Sequence, residues 1–274
     1  MSQRQPNYQE NKGQISTIYL IVQHSLKVRK SEDVTKLREN IVNATFLTMM
    51  RPNFQNESPL KNIYLTFEDP QSQEHIFEPE LSQDGENQRP QPPFLQPKSE
   101  NSPEYTLVLD LDETLGHFDQ SIDKFNRRPF LNEFMQSIHG NFEIVIFTAG
   151  IQEYADQVLQ DIDPDNIVQH RLYRHHTNFE QGNFIKDLTL LGRDLSKTII
   201  VDNNHTNFKY QPENAIFIRT WINEEDDQEL IYLKNLLQKI GKQKQEDLRQ
   251  SLQQYRDYIV MQIARGVSNP EKKI

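Results

Sequence analysis

Two acids placed two residues apart at the end of an apolar run are the residues of this chain best suited to chemistry. In Tyr105-Thr-Leu-Val-Leu-Asp-Leu-Asp-Glu-Thr-Leu115 the run ends on Asp110, and Asp112 follows. Burying a carboxylate is costly unless something pairs with it. A divalent cation and a phosphate group would justify both acids. Asp110 can attack phosphorus and form an aspartyl-phosphate. Asp112 can protonate the leaving oxygen and then deprotonate the hydrolytic water.

Further polar residues follow in an order that suits the same reaction. Thr148 ends a second apolar run, and Asp202 and Asn203 end a third, with Lys186 between them. Thr148 offers a hydroxyl to a phosphoryl oxygen, and Lys186 offers positive charge where it gathers in the transition state. Mg²⁺ takes oxygen ligands and keeps several waters. Asp110, the backbone carbonyl of Asp112 and Asn203 would supply the protein's share, with Asp202 binding directly or supporting a ligand. Taken singly, each residue has a plainer reading. Asp-x-Asp is commonly a solvated turn, Thr148 a helix cap, Lys186 a surface lysine and Asp202-Asn203 a turn. Together, and in this order, they are poorly explained by coincidence.

The elements that must position these residues are strands alternating with helices. Strands are predicted at 105–111, 142–148, 197–202 and 215–218. A short helix is predicted over 129–138, and Ile151, Tyr154, Ala155, Val158, Leu159 and Ile162 share one helical face. This alternation implies an α/β fold, a parallel sheet with helices on both sides. Ligands bind such sheets at the carboxyl ends of the strands. Helices at 225–240 and 243–264 follow, the latter carrying Leu248, Leu252, Tyr255 and Ile259 on one stripe.

Composition divides the chain into residues 1–81, a linker at 82–103, a catalytic domain at 104–240 and a C-terminal helix and tail at 241–274. The linker holds Pro90, Pro92, Pro93, Pro97 and Pro103 among polar residues and is expected to be extended. Residues 1–81 read either as a small β-grasp-like module or as a partly ordered polar extension, the second being preferred. The net charge of −10 gives no basic field for nucleic acid. Cysteine is absent, which excludes a disulfide framework and a cysteine nucleophile and fits a reducing compartment. Nucleus or cytoplasm is expected, with the mitochondrion still open. No apolar run approaches the roughly 20 residues of a membrane span.

The motifs resemble the haloacid-dehalogenase superfamily, in the branch of the small RNA polymerase II C-terminal-domain phosphatases and Dullard-type phosphatases. The resemblance rests on Asp110-Leu-Asp-Glu-Thr-Leu115, Phe147-Thr-Ala149 with Tyr154-Ala-Asp156, and Arg171-Leu-Tyr-Arg174. It continues through Gly182-Asn183, Lys186-Asp-Leu188, Leu191-Gly-Arg-Asp-Leu195, Val201-Asp-Asn203, Pro212-Glu-Asn-Ala215 and Trp221. It implies a Rossmann-like parallel sheet, a small β insertion at 167–187 and a helical C-terminal extension. It also implies a Mg²⁺-dependent phosphatase acting on phosphoprotein serine or threonine. Arg174 would then help hold the substrate phosphate, and Tyr154, with Ile151, would wall the substrate groove. Partners would engage the N-terminal region or the C-terminal helix.

Two departures stand out. Only thirteen residues separate Thr114 from Arg128, where the small phosphatases are longer and carry a hairpin lining a proline pocket. Gly116 stands where a β-branched residue is usual, and is expected to loosen the backbone. Two alternatives stay open: a non-catalytic scaffold like the mitochondrial import receptor branch, and a phosphatase of small metabolites.

Overall fold

The computed structural model describes residues 89–264. The expectations for residues 1–81, and for the first part of the proline-rich segment, lie outside the described residues.

In chain order, β1 (Tyr105–Leu109) leads into a hairpin of β2 (Gly116–Asp119) and β3 (Lys124–Arg127). Then come α1 (Leu131–Ile138), β4 (Phe142–Phe147), α2 (Gln152–Ile162) and β5 (His170–Leu172). A second hairpin, β6 (Asn178–Glu180) and β7 (Asn183–Ile185), precedes β8 (Thr198–Asp202) and β9 (Ala215–Phe217). The chain continues in α3 (Glu229–Lys242) and α4 (Leu248–Ala264).

Five strands form one parallel sheet in the order β5-β4-β1-β8-β9. This is the expected α/β architecture. Every residue of β1, β4 and β8 is buried, as fits strands covered on both faces. The helices bury the faces their spacing dictates: Leu131, Phe134, Met135 and Ile138 on α1, and Ala155, Val158, Leu159 and Ile162 on α2. Of the expected β insertion, β6 and β7 make the separate hairpin, while β5 belongs to the main sheet.

Three findings revise the expectations. The described part of the proline-rich segment is not a free linker. Phe94 N donates to Leu190 O at 2.9 Å and Leu95 N to Leu191 O at 3.3 Å. Leu95 is only 3 % exposed and joins Val108, Val145 and Ile200 in the core. A single well-placed leucine buried this way is worth about 2 kcal/mol, which anchors a strap whose composition is otherwise polar. Next, the short segment after Thr114 does form a hairpin, and its Phe118 ring meets Tyr154 edge-on at 5.8 Å. Finally, Gly116 does not loosen the backbone. A Cβ there would lie 2.2 Å from the Phe125 ring and 2.4 Å from Asn126 O, so glycine is what lets the hairpin close.

Polar ties brace both ends of the sheet. At the amino end, Glu143 accepts from Arg193 Nε at 2.8 Å and from Thr106 Oγ1 at 2.8 Å. His170 Nε2 lies 3.1 Å from the same carboxylate, and Lys98 Nζ lies 3.4 Å away. Those hydrogen bonds hold Glu143 well below the usual carboxylate range, against the opposing effect of burial. Nearer the other end, buried Arg128 pairs with Asp227 through Nε at 2.7 Å and Nη2 at 2.9 Å, and donates to Thr114 O at 3.1 Å.

Candidate active site

β1 runs out at Leu109, and the next residue keeps the sheet bonding: Asp110 N donates to Val201 O at 3.0 Å. The Asp110 carboxylate therefore stands at the carboxyl end of the central strand, 5 % exposed. Its Oδ2 accepts from Thr114 Oγ1 at 2.8 Å. Its Oδ1 accepts from Lys186 Nζ at 2.5 Å. Lys186 also donates to Asp202 Oδ2 at 2.5 Å, so one fully buried ammonium joins the tips of β1 and β8. Burial alone would lower the lysine pKa, but the two carboxylates outweigh it and raise it. Lys186 is therefore a firmly held cation.

Asp202 is supported by Asn204 N at 2.8 Å and Asn207 Nδ2 at 3.1 Å. Burial, helped by the charge of Asp110, still pushes its pKa up to about 6. Asp112 lies outside this lysine-centred group. Tyr154 OH donates to its Oδ1 in a short hydrogen bond, and Thr148 Oγ1 lies 3.4 Å from its Oδ2. Burial pushes the Asp112 pKa up; the Tyr154 hydrogen bond opposes this, and the Asp110 charge adds to it. A carboxyl group so placed is suited to carrying a proton.

Thr148 directly follows β4, with its hydroxyl accepting from Gly150 N at 2.8 Å. Arg174 is exposed and tied to the same loop: Nε donates to Ala149 O at 2.7 Å, and the guanidinium lies 4.9 Å from the Phe184 ring centroid. Ile151, 49 % exposed, precedes α2. Asn203 does not bond to the lysine group. Its amide nitrogen donates to Glu113 Oε2 and Thr220 Oγ1, both at 3.2 Å. The structure thus joins Asp110, Lys186 and Asp202 directly, and Asp112 with Tyr154 and Thr148. Arg174 and Asn203 are attached to the loops that carry these groups.

Sequence reasoning missed Thr114, Asn207 and Glu113 as supporting residues. Thr114 and Glu113 lie inside the first motif and could have been suspected. Asn207 carried no signal beyond an asparagine-rich loop.

Among the described residues, no three or more His, Cys, Asp or Glu side chains form a ready metal cage. The donors at hand are hard oxygens, from Asp110, Asp202, Asn203 and the Asp112 carbonyl, and the fit is to a hard cation. Lys186 pairs with Asp110 and Asp202, and Asp112 stands near enough for its pKa to feel the charge of both Asp110 and Lys186.

Residues 105–249 match the model of the NLI interacting factor-like phosphatases, which is more than half of the chain. The chain belongs to that family. Among the relatives of this family member, CTD small phosphatase-like protein 2 of Dictyostelium discoideum is 39% identical over 169 residues, covering 55% of this chain and 30% of that protein. Mitochondrial import inner membrane translocase subunit tim50 of Aspergillus fumigatus is 36% identical over 154 residues, covering 55% of this chain and 31% of that protein. The chain thus spans about a third of the length of these curated relatives. The solved structure of a fission yeast RNA polymerase II CTD phosphatase bound to beryllium fluoride aligns at 16% identity and TM-score 0.42, over 60% of this chain and 67% of that one. Among the described residues, no helix is long and apolar enough to cross a membrane.

Proposed function

We propose that this family member is a Mg²⁺-dependent protein serine/threonine phosphatase working through an aspartyl-phosphate on Asp110. The observation that carries the reading is the fully buried Lys186 ammonium clasped between Asp110 and Asp202, with protonatable Asp112 close by. A lysine buried in this way holds the attacking carboxylate in place and offsets the charge of an incoming phosphoryl group.

In the first half-reaction an Asp110 carboxylate oxygen attacks phosphorus. The bond from phosphorus to the substrate serine or threonine oxygen breaks, and Asp112 gives its proton to that oxygen. In the second, Asp112 takes a proton from water as the water oxygen attacks phosphorus. The acyl-phosphate bond breaks, Asp110 regains its carboxylate and inorganic phosphate leaves. Thr148 and Arg174 supply donors for the non-reacting phosphoryl oxygens. Asp110, Asn203 and the Asp112 carbonyl, with Asp202 in support, would hold Mg²⁺, which supplies charge neutralisation between the carboxylate and the phosphate.

A protein substrate is favoured by an open site. The insertion beside it is only the β6–β7 hairpin, and Ile151 is exposed at its rim. The short β2–β3 hairpin lends one ring, Phe118, to the wall. Weak preference for a neighbouring proline is expected, since losing apolar contacts of a pocket wall costs about 1–3 kcal/mol of discrimination. The import-receptor relative favours a scaffold as a second reading. The intact set of aspartates supports the phosphatase reading, because a scaffold has no need of them.

The test is phosphate release from an aryl phosphate and from phosphoserine peptides, with and without Mg²⁺, using Asp110→Asn as control. Turnover should vanish with EDTA, return with Mg²⁺ and be lost in the variant. Turnover by the variant, or by metal-stripped protein, would refute the reading, and an inactive wild type would favour the scaffold.

A further inference from the structure

The reaction described above gives no role to Glu113, yet its placement is unusual. Its backbone has φ 62, in the left-handed region, which a residue with a side chain enters at a cost of about 1–3 kcal/mol. It is held there from both sides. Glu113 N donates to Gly116 O at 2.6 Å, and Trp221 N donates to Glu113 O at 2.9 Å. The side chain so placed meets Asn203: Oε2 accepts from Asn203 Nδ2 at 3.2 Å. The same amide nitrogen donates to Thr220 Oγ1 at 3.2 Å. His117 Nδ1 lies 4.0 Å from the other Glu113 oxygen.

An ionised carboxylate can only accept. Asn203 must therefore turn its NH₂ toward Glu113, because the flipped amide would set oxygen against oxygen. With both amide hydrogens given to Glu113 and Thr220, Oδ1 is turned away from them and left for a cation. Orientation matters here for an asparagine and would not for an aspartate. An amide has one oxygen to offer, whereas a carboxylate has two.

We infer that Glu113, assisted by Thr220, is the positioning residue that locks the Asn203 amide so that its oxygen serves as a ligand for the hard divalent cation. This rests on the proposed Mg²⁺-dependent function. It also makes positions 113 and 203 a matched pair: a carboxylate at 203 fits only when the carboxylate at 113 is gone.

The experiment is calorimetric titration of Mg²⁺ into the full chain without substrate, with Tm of the metal-free protein measured alongside. Glu113→Gln no longer dictates which way the Asn203 amide turns, because its own amide can either accept or donate, and should weaken Mg²⁺ binding about tenfold or more. Asn203→Asp should weaken it too, because two carboxylates then face each other. The double variant E113Q/N203D should recover to within about threefold of wild type. In it, an amide at 113 donates to one carboxylate oxygen at 203 and leaves the second for the metal. Unchanged binding in Glu113→Gln, or a double variant no better than the singles, would overturn the inference. If Glu113→Gln fails to fold, Thr220→Val at the exposed Thr220 decides, and unchanged Mg²⁺ affinity there also overturns it. A wild type that binds no Mg²⁺ removes the proposed function as well. A wild type that binds, with no rescue in the pair, removes only the role of Glu113.

Discussion

The two ends of the central sheet bury charge in opposite proportions. At the amino end one carboxylate, Glu143, is surrounded by Arg193, Lys98 and His170. At the carboxyl end, Asp110, Asp112 and Asp202 converge around one ammonium, Lys186. The first arrangement is complete in itself. The second sets three acids against one ammonium; burial raises the pKa values of Asp112 and Asp202, and the charge of Asp110 adds to it. An excess of acids is what the proposed divalent cation would offset.

The largest test of this contrast removes charge from the deficient end. Asp110→Asn should lower kcat by about 10⁴-fold or more, while Tm measured without Mg²⁺ should fall less than in Glu143→Gln, because the lost Lys186 partner is partly offset by relief of the repulsion from Asp112 and Asp202. A large drop in Tm would show that the aspartates stabilise the fold and would erase the contrast. The opposite end should behave the other way round. Glu143→Gln leaves a buried arginine short of its partner and should cost about 4 kcal/mol in urea unfolding, with kcat per folded molecule unchanged. Altered kcat at full stability would mean that the two ends are coupled.

The strap belongs with the amino end, since Arg193 Nη2 also donates to Gln96 O at 2.9 Å. Leu95→Ala should cost about 2–3 kcal/mol and again spare kcat. A variant as stable as wild type would make the strap a passive passenger. The smallest effect concerns His176, packed edge-on against Phe94 with ring centroids 5.1 Å apart. Burial, then the neighbouring His175, lowers its pKa from 6.5 to about 4. The unfolded chain therefore takes up the proton first. The stability it contributes is complete above pH 6.5 and is lost as pH falls toward 4. Discounted for solvent screening of a partly buried ring, the loss should be about 2 kcal/mol, and His176→Phe should flatten that slope. An identical slope in the variant would assign the acid sensitivity elsewhere.

Much of the sheet was legible because β1, β4 and β8 are buried on both faces and read as unbroken apolar runs. The acids at their ends were legible for the same reason, since charge next to such a run is conspicuous. What escaped notice were residues whose meaning depends on distant partners. Phe94 and Leu95 are isolated apolar residues in a proline-rich stretch, and only the groove beside Leu190 and Leu191 gives them a purpose. Arg128 looks like a surface arginine until Asp227 is seen beside it. The β2–β3 hairpin was underestimated because its segment is short, and Gly116 was read as slack when the close approach of Phe125 demands it.

The Arg128–Asp227 pair also has a consequence in time. Its members are separated by 99 residues, which a ribosome adding about 5–20 residues per second covers in about 5–20 s. During that interval the loop from Asp110 to Thr114 has no bolt behind it, and β1 lacks its neighbour β8 for most of it. An open strand edge is a template for wrong pairing. Nascent chains stalled before Asp227 should therefore be cut readily by protease around Thr114, whereas chains long enough to expose Asp227 should resist. Synthesis order thus makes the loop from Asp110 to Thr114 one of the last parts of the molecule to become rigid.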